Sequence, residues 1–267
     1  MSTPRKAPDD RGDRWRSLLL VVVLLPWPLL FSEHYWWAFI VGTAAIVGAL
    51  RLVHGPHWTN YAGLKIPPVH ILLTVVAFGL MAAATGLLLP HIYASGGLRA
   101  GSPELGRELG LMFQSLNEEI LFRALLIGLL LQYAGSRVLI SVVLACIFAA
   151  AHFLLYRFSN PLHVPLSPIA LSTLFLAGVA MNNLYLAFRY IGFSWAFHAG
   201  WNVVWLSPPM YDTLTNVPLH EPQVFNRVLG APAMTAIAGA ATLVSFALLA
   251  WRPRGGSPLP TGHSSLH

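Results

Sequence analysis

The chain has 267 residues, of which 56% are hydrophobic and only 10% charged, whereas ordinary soluble domains run near about a quarter charged. This balance excludes a soluble globular domain and puts the chain in a bilayer, where lipid takes over the role of a large soluble core. The net charge of +6 does not mark a nucleic-acid partner: Arg5, Lys6, Arg11, Arg14 and Arg16 all crowd into the first sixteen residues, a cluster that the positive-inside rule assigns to the cytoplasmic side. The single cysteine, Cys146, lies in an apolar run and excludes an internal disulfide.

Residues 1–16 read as a disordered basic tail. The apolar run 17–31 contains Pro26 and Pro28 and is followed by the bulky Tyr35-Trp36-Trp37, with no small-x-small cleavage site, so it reads as a retained first span. A second span is expected over about 36–53, with Trp36 and Trp37 at the interface, and a third over about 69–89, closed by Pro90. Ser102 as N-cap and Pro103 at the first helical position open a fourth helix over about 103–133. Further spans follow over about 138–158, 168–189, 193–206 and 233–251, with a loop over 207–231 and a disordered Gly/Pro/Ser-rich tail over 252–267. The expected fold is an all-α polytopic membrane bundle of about eight transmembrane helices, one domain over 17–251. No internal repeat is visible, which disfavours a transporter built on inverted halves.

Alternating the loops between two sides puts Arg5, Lys6, Arg11, Arg14, Arg16, Arg51, Lys65, Arg137, Arg189, Arg252 and Arg254 on one side, against Arg99, Arg107, Arg157 and Arg227 on the other. The excess marks the first side as cytoplasmic, with both termini there. The expected location is the cytoplasmic membrane of a prokaryote, the chain being integral and multi-pass.

The fourth helix breaks the apolar pattern with Asn117-Glu118-Glu119 and Arg123. A charge at the centre of a membrane helix costs roughly 2.5–3.5 kcal/mol on insertion scales, so three of them must be paired, neutralised or hydrated. At about 100° per residue, Arg123 stands about 40° from Glu119 but about 140° from Glu118. The natural ion pair is Glu119 with Arg123. Glu118, flanked by Gln114 and Ser115, is left without a local cation, and an unpaired carboxylate away from bulk water is suited to take a proton.

Two other apolar helices carry polar groups. Phe148-Ala149-Ala150-Ala151-His152 offers a histidine beside small residues that would let another helix backbone approach closely. His198 and Asn202 share one face of the seventh span at i,i+4. Each has a structural reading as well: a hydrogen-bonded histidine in a tight packing face, and an interhelical hydrogen bond. The remaining histidines fall in loops, tails or span ends, which leaves Glu118, His152 and His198 to converge on one hydrated cavity. There, Glu118 and His152 would activate a water while His198 and Asn202 donate to the oxyanion of an attacked carbonyl. No Gly-x-Ser-x-Gly, aspartate pair or His-Glu-x-x-His competes with that chemistry.

Glu-Glu-x-x-x-Arg (Glu118, Glu119, Arg123), Phe-x-x-x-His (Phe148, His152) and His-x-x-x-Asn (His198, Asn202), in this order on separate apolar helices, resemble the CPBP family. These are the CAAX-prenyl-endopeptidase and bacteriocin-processing (Abi-type) intramembrane glutamic endopeptidases. The resemblance covers about 103–206. It implies an eight-helix membrane protease in which Glu118 and His152 hold the attacking water, and His198 and Asn202 stabilise the oxyanion, supported by Glu119, Arg123 and Phe148. The substrate it implies is a membrane-anchored protein or peptide, processed at a CAAX-type end, a leader or a C-terminal anchor. No cofactor is expected. Two alternatives stand beside it: a zinc version with Glu118, His152 and His198 as ligands, against which no two of those ligands have His-x-x-x-His spacing, and a non-catalytic immunity or scaffold protein.

Overall fold

The computed structural model describes residues 36–55, 58–61, 63–64, 68–131, 135–158, 164–206 and 208–251. The expected tails over 1–16 and 252–267 and the expected first span over 17–31 lie outside the described residues. The described chain is all-helical apart from one two-stranded ribbon. Its helices are α1 (Trp36–His54), α2 (Trp58–Tyr61), α3 (Pro68–Gly96), α4 (opening as Leu105–Glu119), α5 (Arg137–Phe158), α6 (Pro168–Phe188), α7 (Ile191–Leu206), α8 (Glu221–Val228) and α9 (Pro232–Trp251). The strands β1 (Leu98–Ala100) and β2 (Met210–Asp212) pair antiparallel, with Arg99 opposite Tyr211.

Among the described residues α3, α5, α6 and α9 are long and apolar enough to cross a membrane, and α1 contains a shorter apolar stretch, Trp37–Leu52. The count of eight spans is not reached by that measure. α4 carries the charges, and α7 is only 16 residues long.

Several boundaries depart from the sequence reading. α3 runs through Pro90 to Gly96, since a membrane helix can lose one i→i−4 bond at a proline without ending. α4 starts at Leu105, with Glu104 rather than Ser102 at the N-cap and no side-chain cap bond. Gly101 instead donates its N–H to the Pro209 carbonyl at 2.8 Å, which holds the lead-in extended beside β2. The loop over 207–231 contains β2 and α8. α8 opens with a reciprocal cap in which the Gln223 side chain accepts the His220 N–H at 3.0 Å.

Packing sets the site. α6 lies against α5 and α9, α7 against α3 and α4, and α1 against α4. Asn117 ties α4 to α1, donating Nδ2 to the Phe39 carbonyl at 3.2 Å. A Cβ on Gly178 would come within 3.3 Å of Ala145 Cα, and a Cβ on Gly200 within 2.8 Å of the Phe78 carbonyl oxygen. The close α5–α6 approach therefore falls at Ala145, not at Ala149–Ala151 as the small-residue run led us to expect. Ala150 and Ala151 border a cavity instead, because their small side chains leave space beside His152.

The ribbon end is latched by Arg227, which donates to Asp212 Oδ2 at 2.8 Å and to the Gly96 and Gly97 carbonyls at 3.2 Å each. The Thr215 N–H, with Arg227, holds the Asp212 carboxyl down to about 2 from 3.8. A depressed carboxyl stabilises the fold above its unfolded range and loses that contribution as pH falls through the folded value. Pepsin nicking at the exposed Leu214 turn is therefore expected to be faster in Asp212→Asn than in wild type near pH 4, and equal near about pH 2. Equal nicking across that range would show that the latch does not depend on the charge.

Candidate active site

α4 is a regular helix through Glu119, widens to π-type i→i+5 bonding over Ile120–Ile127 and closes with one α turn, Gly128–Leu130. π-segments occur frequently at functional sites, and this one begins immediately after the two glutamates. Glu118 is 5% exposed, and Glu119 and Arg123 are fully buried, so bulk water solvates none of the three charges to a useful extent.

Arg123 Nη1 lies 3.1 Å from Glu119 Oε1, the ion pair expected from the spacing. Arg123 Nε donates to Asn182 Oδ1 of α6 at 3.1 Å, and its guanidinium lies 4.8 Å from the centroid of the Phe148 ring, close enough for a cation–π attraction. The sequence reading left Glu119 to Arg123 alone. In the structure Glu119 also receives His198, whose Nδ1 donates to Oε1 at 2.9 Å. A carboxylate can only accept, so the His198 proton sits on Nδ1. The other ring nitrogen, Nε2, lies 3.8 Å from Glu118 Oε2.

Glu118 is thus faced by His198 from α7 and by Gln114 one turn earlier, whose Nε2 donates to Oε1 at 3.3 Å. His152 Nδ1 donates to the Phe148 carbonyl at 2.9 Å, which leaves its Nε2 as the lone-pair nitrogen. Phe148 is the plate between them: its ring lies 4.5 Å from His152, 6.1 Å from His198 and 5.3 Å from Phe122. Asn202 Nδ2 donates to Ser115 Oγ at 3.3 Å, joining α7 to the Glu118 face of α4.

Glu118, His152, His198 and Asn202 all line one cavity of about 360 Å³, within the size range of ligand pockets. Its walls are otherwise mostly apolar, with Leu174, Trp201 and Trp205 among them. Ile147 and Leu154 of α5 border the cavity and are 42% and 51% exposed, so it reaches the lipid-facing side of that helix. At the other end α8 lies across it: Phe225 packs 4.9 Å from the Tyr156 ring and 5.0 Å from Trp205, and Tyr156 donates to Glu221 at 2.7 Å. Among the described residues no group of three or more His, Cys, Asp or Glu side chains is placed to hold a metal ion; the Nδ1 of His198 is already committed to Glu119.

The sequence reading missed Asn182 and Glu221. For Asn182 a signal existed, the Asn182-Asn183 pair in the middle of an otherwise apolar helix, where an amide needs a partner. Glu221 fell in a stretch read as loop, with no local cue to its contact with Tyr156.

A family model described as Rce1-like, Type II CAAX prenyl endopeptidase Rce1-like, matches residues 109–204. The match supports a relation of this stretch of the chain to the CPBP/CAAX protease family. It spans about a third of the chain and takes in all three motifs, from Glu118 to Asn202. No curated protein and no solved structure matches the chain. A CAAX protease family is one of hydrolases, and together with the four long apolar helices it supports an integral membrane protease.

Proposed function

We propose that the chain is an intramembrane endopeptidase that hydrolyses a peptide bond in a membrane-associated protein or peptide, using a water activated by Glu118 and His152. The observation that carries this reading is that Glu118, His152, His198 and Asn202, from three helices, line one apolar cavity. Glu118 Oε2 has no hydrogen-bond partner among the described residues, so its lone pair is available for a water proton. The hydroxyl oxygen attacks the carbonyl carbon, and the charge developing on the carbonyl oxygen is met by the Asn202 amide N–H and by His198 in its doubly protonated form, since Nε2 of the Nδ1–H ring has no proton to donate. Collapse breaks the C–N bond, and Glu118 returns the proton to the leaving nitrogen.

Glu119 and Arg123 serve this scheme indirectly. The Glu119 carboxylate steadies His198 when its ring becomes cationic, as the buried aspartate does in a Ser-His-Asp triad. Arg123, 3.1 Å from Glu119 Oε1, holds that carboxylate in place. The reading uses no metal, and it takes both termini to lie on the cytoplasmic side from the Lys/Arg bias. A cavity bordered by lipid-facing Ile147 and Leu154 suits a substrate arriving within the bilayer, either a prenylated C-terminal CAAX-type peptide or an apolar anchor.

The test uses purified protein in proteoliposomes with a farnesylated peptide ending Cys-aliphatic-aliphatic-X, or a single-span peptide, in the presence of a chelator. Wild type is expected to cleave one of them under chelation, and Glu118→Gln neither. Wild-type cleavage by the variant, or loss on chelation restored by zinc, overturns the scheme. Asn202→Ala is expected to lower kcat by about 10²–10³ with little change in KM, the usual cost of one oxyanion donor. Steady-state kinetics check this, and a pure KM effect would make Asn202 a substrate-binding group instead.

A further inference from the structure

The chain of contacts around His198 does not end at the motif residues. It runs from His198 to Glu119, from Glu119 to Arg123 and from Arg123 to Asn182, which no motif contains. Asn182 is 1% exposed. Its Oδ1 accepts from Arg123 Nε at 3.1 Å, and its Nδ2 donates to the Ser141 carbonyl of α5 at 2.8 Å. Arginine only donates and a carbonyl only accepts, so both ends of the amide are fixed, and the flipped amide would meet neither partner.

We infer that Asn182 is a positioning residue for the hydrolytic site, acting through Arg123 and Glu119 to hold the His198 proton on Nδ1 and to turn Nε2 toward Glu118. The inference rests on the hydrolytic reading above. The Phe148 face attracts the Arg123 guanidinium but leaves it free to slide in the ring plane. The Asn182 amide, itself anchored to the α5 backbone, removes that freedom and so sets the height at which the Glu119 carboxylate meets His198. Asn183 provides a natural contrast. It is equally buried, but its Nδ2 donates to Ser245 Oγ of α9 at 3.1 Å, a link between helices that does not reach the site.

The experiment compares Asn182→Leu, Asn182→Ala and Asn183→Leu in proteoliposomes, using the cleaved peptide probe and ¹⁵N-histidine labelling. Leucine keeps the branched skeleton of asparagine but excludes water from the Arg123–Ser141 gap, whereas alanine leaves a polar space that a water can enter and bridge. Asn182→Leu is expected to lower kcat by about 10–100-fold, the usual cost of losing a residue that orients a reacting one, with KM unchanged. Asn182→Ala should lower kcat less, and Asn183→Leu should not lower it. A mere packing role gives the reverse order, with the cavity-forming alanine the worse of the two substitutions.

In the ¹⁵N spectrum, His198 of wild type is expected to carry its proton on Nδ1 alone, and Asn182→Leu to mix the two tautomers. A single tautomer and wild-type kcat in folded Asn182→Leu would overturn the inference, as would equal losses in Asn182→Leu and Asn183→Leu. The spectrum requires no turnover. Normal cleavage by Glu118→Gln would therefore sink the hydrolytic reading, while the Asn182 arrangement is still decided by the His198 tautomer. If Asn182→Leu does not fold, the tautomer in Asn182→Val, likewise apolar but smaller, decides it, and a signal identical to wild type counts against.

Discussion

Glu118→Gln is expected to lower the rate of peptide cleavage by about 10²–10⁴-fold or more, the range supplied by a positioned general base, while leaving the fold intact. Glutamine has the same shape as glutamate, and its carbonyl oxygen can still accept the Gln114 Nε2 that lies 3.3 Å from Glu118 Oε1. Glu118 makes no ion pair closer than the 3.8 Å that separates its Oε2 from His198 Nε2. The loss should therefore fall on kcat, with the thermal unfolding of the purified protein unchanged. Glu119→Gln should behave in the opposite way, because its carboxylate lies 3.1 Å from Arg123 and accepts from His198 at 2.9 Å. A Glu118→Gln enzyme within a few-fold of wild type would transfer the base role to another group.

Arg123→Met is the second large effect, and it is one of stability. Removing one partner of a buried ion pair costs about 3–5 kcal/mol, because the other charge is left uncompensated. Here the orphan would be Glu119, which has no exposure at all. Replacing both partners, as in Glu119→Leu with Arg123→Met, should return most of that stability, since apolar substitutes for a buried pair are often neutral or better. It should not return cleavage, because His198 has then lost its Nδ1 acceptor. A double-mutant cycle on thermal unfolding measures the coupling. An Arg123→Met protein as stable as wild type would mean that Glu119 is held mainly by His198 and not by the guanidinium.

The features that could be read from the chain were those fixed by local geometry. Glu119 and Arg123 stand four positions apart, so their pairing survives even where the helix widens into π-turns. The α5, α6, α7 and α9 helices emerged within a few residues because their apolar runs are bounded by prolines, glycines and arginines. What depended on how one helix sits against another could not be read. The Glu119–His198 contact requires α4 and α7 to meet at one height, and that is decided by Gly200 against α3, a distant stretch of sequence. The π-segment left no trace because Ile120–Ile127 is equally suited to an ordinary helix. Ala149–Ala151 looked like a contact face, since small residues permit either close packing or empty space, and only the neighbouring helix decides which. Short elements such as β1, β2 and α8 form where one loop leans on another, so neither loop announces them alone.

The contact between Gly200 and Phe78 bears on where this protein begins and ends as a working device. Residues 109–204 carry the family's signature, yet α3, whose Phe78 carbonyl would stand 2.8 Å from any Cβ at position 200, lies outside them. α1 also lies outside, tied to Asn117 through Phe39 and Thr43. A segment excised at the family's borders and grafted onto another scaffold would carry every motif residue and lose the surfaces that aim them. The unit to transplant, shuffle or inherit is thus larger than the unit that sequence comparison detects, and drift in the unmatched helices is restrained by mechanics rather than by chemistry.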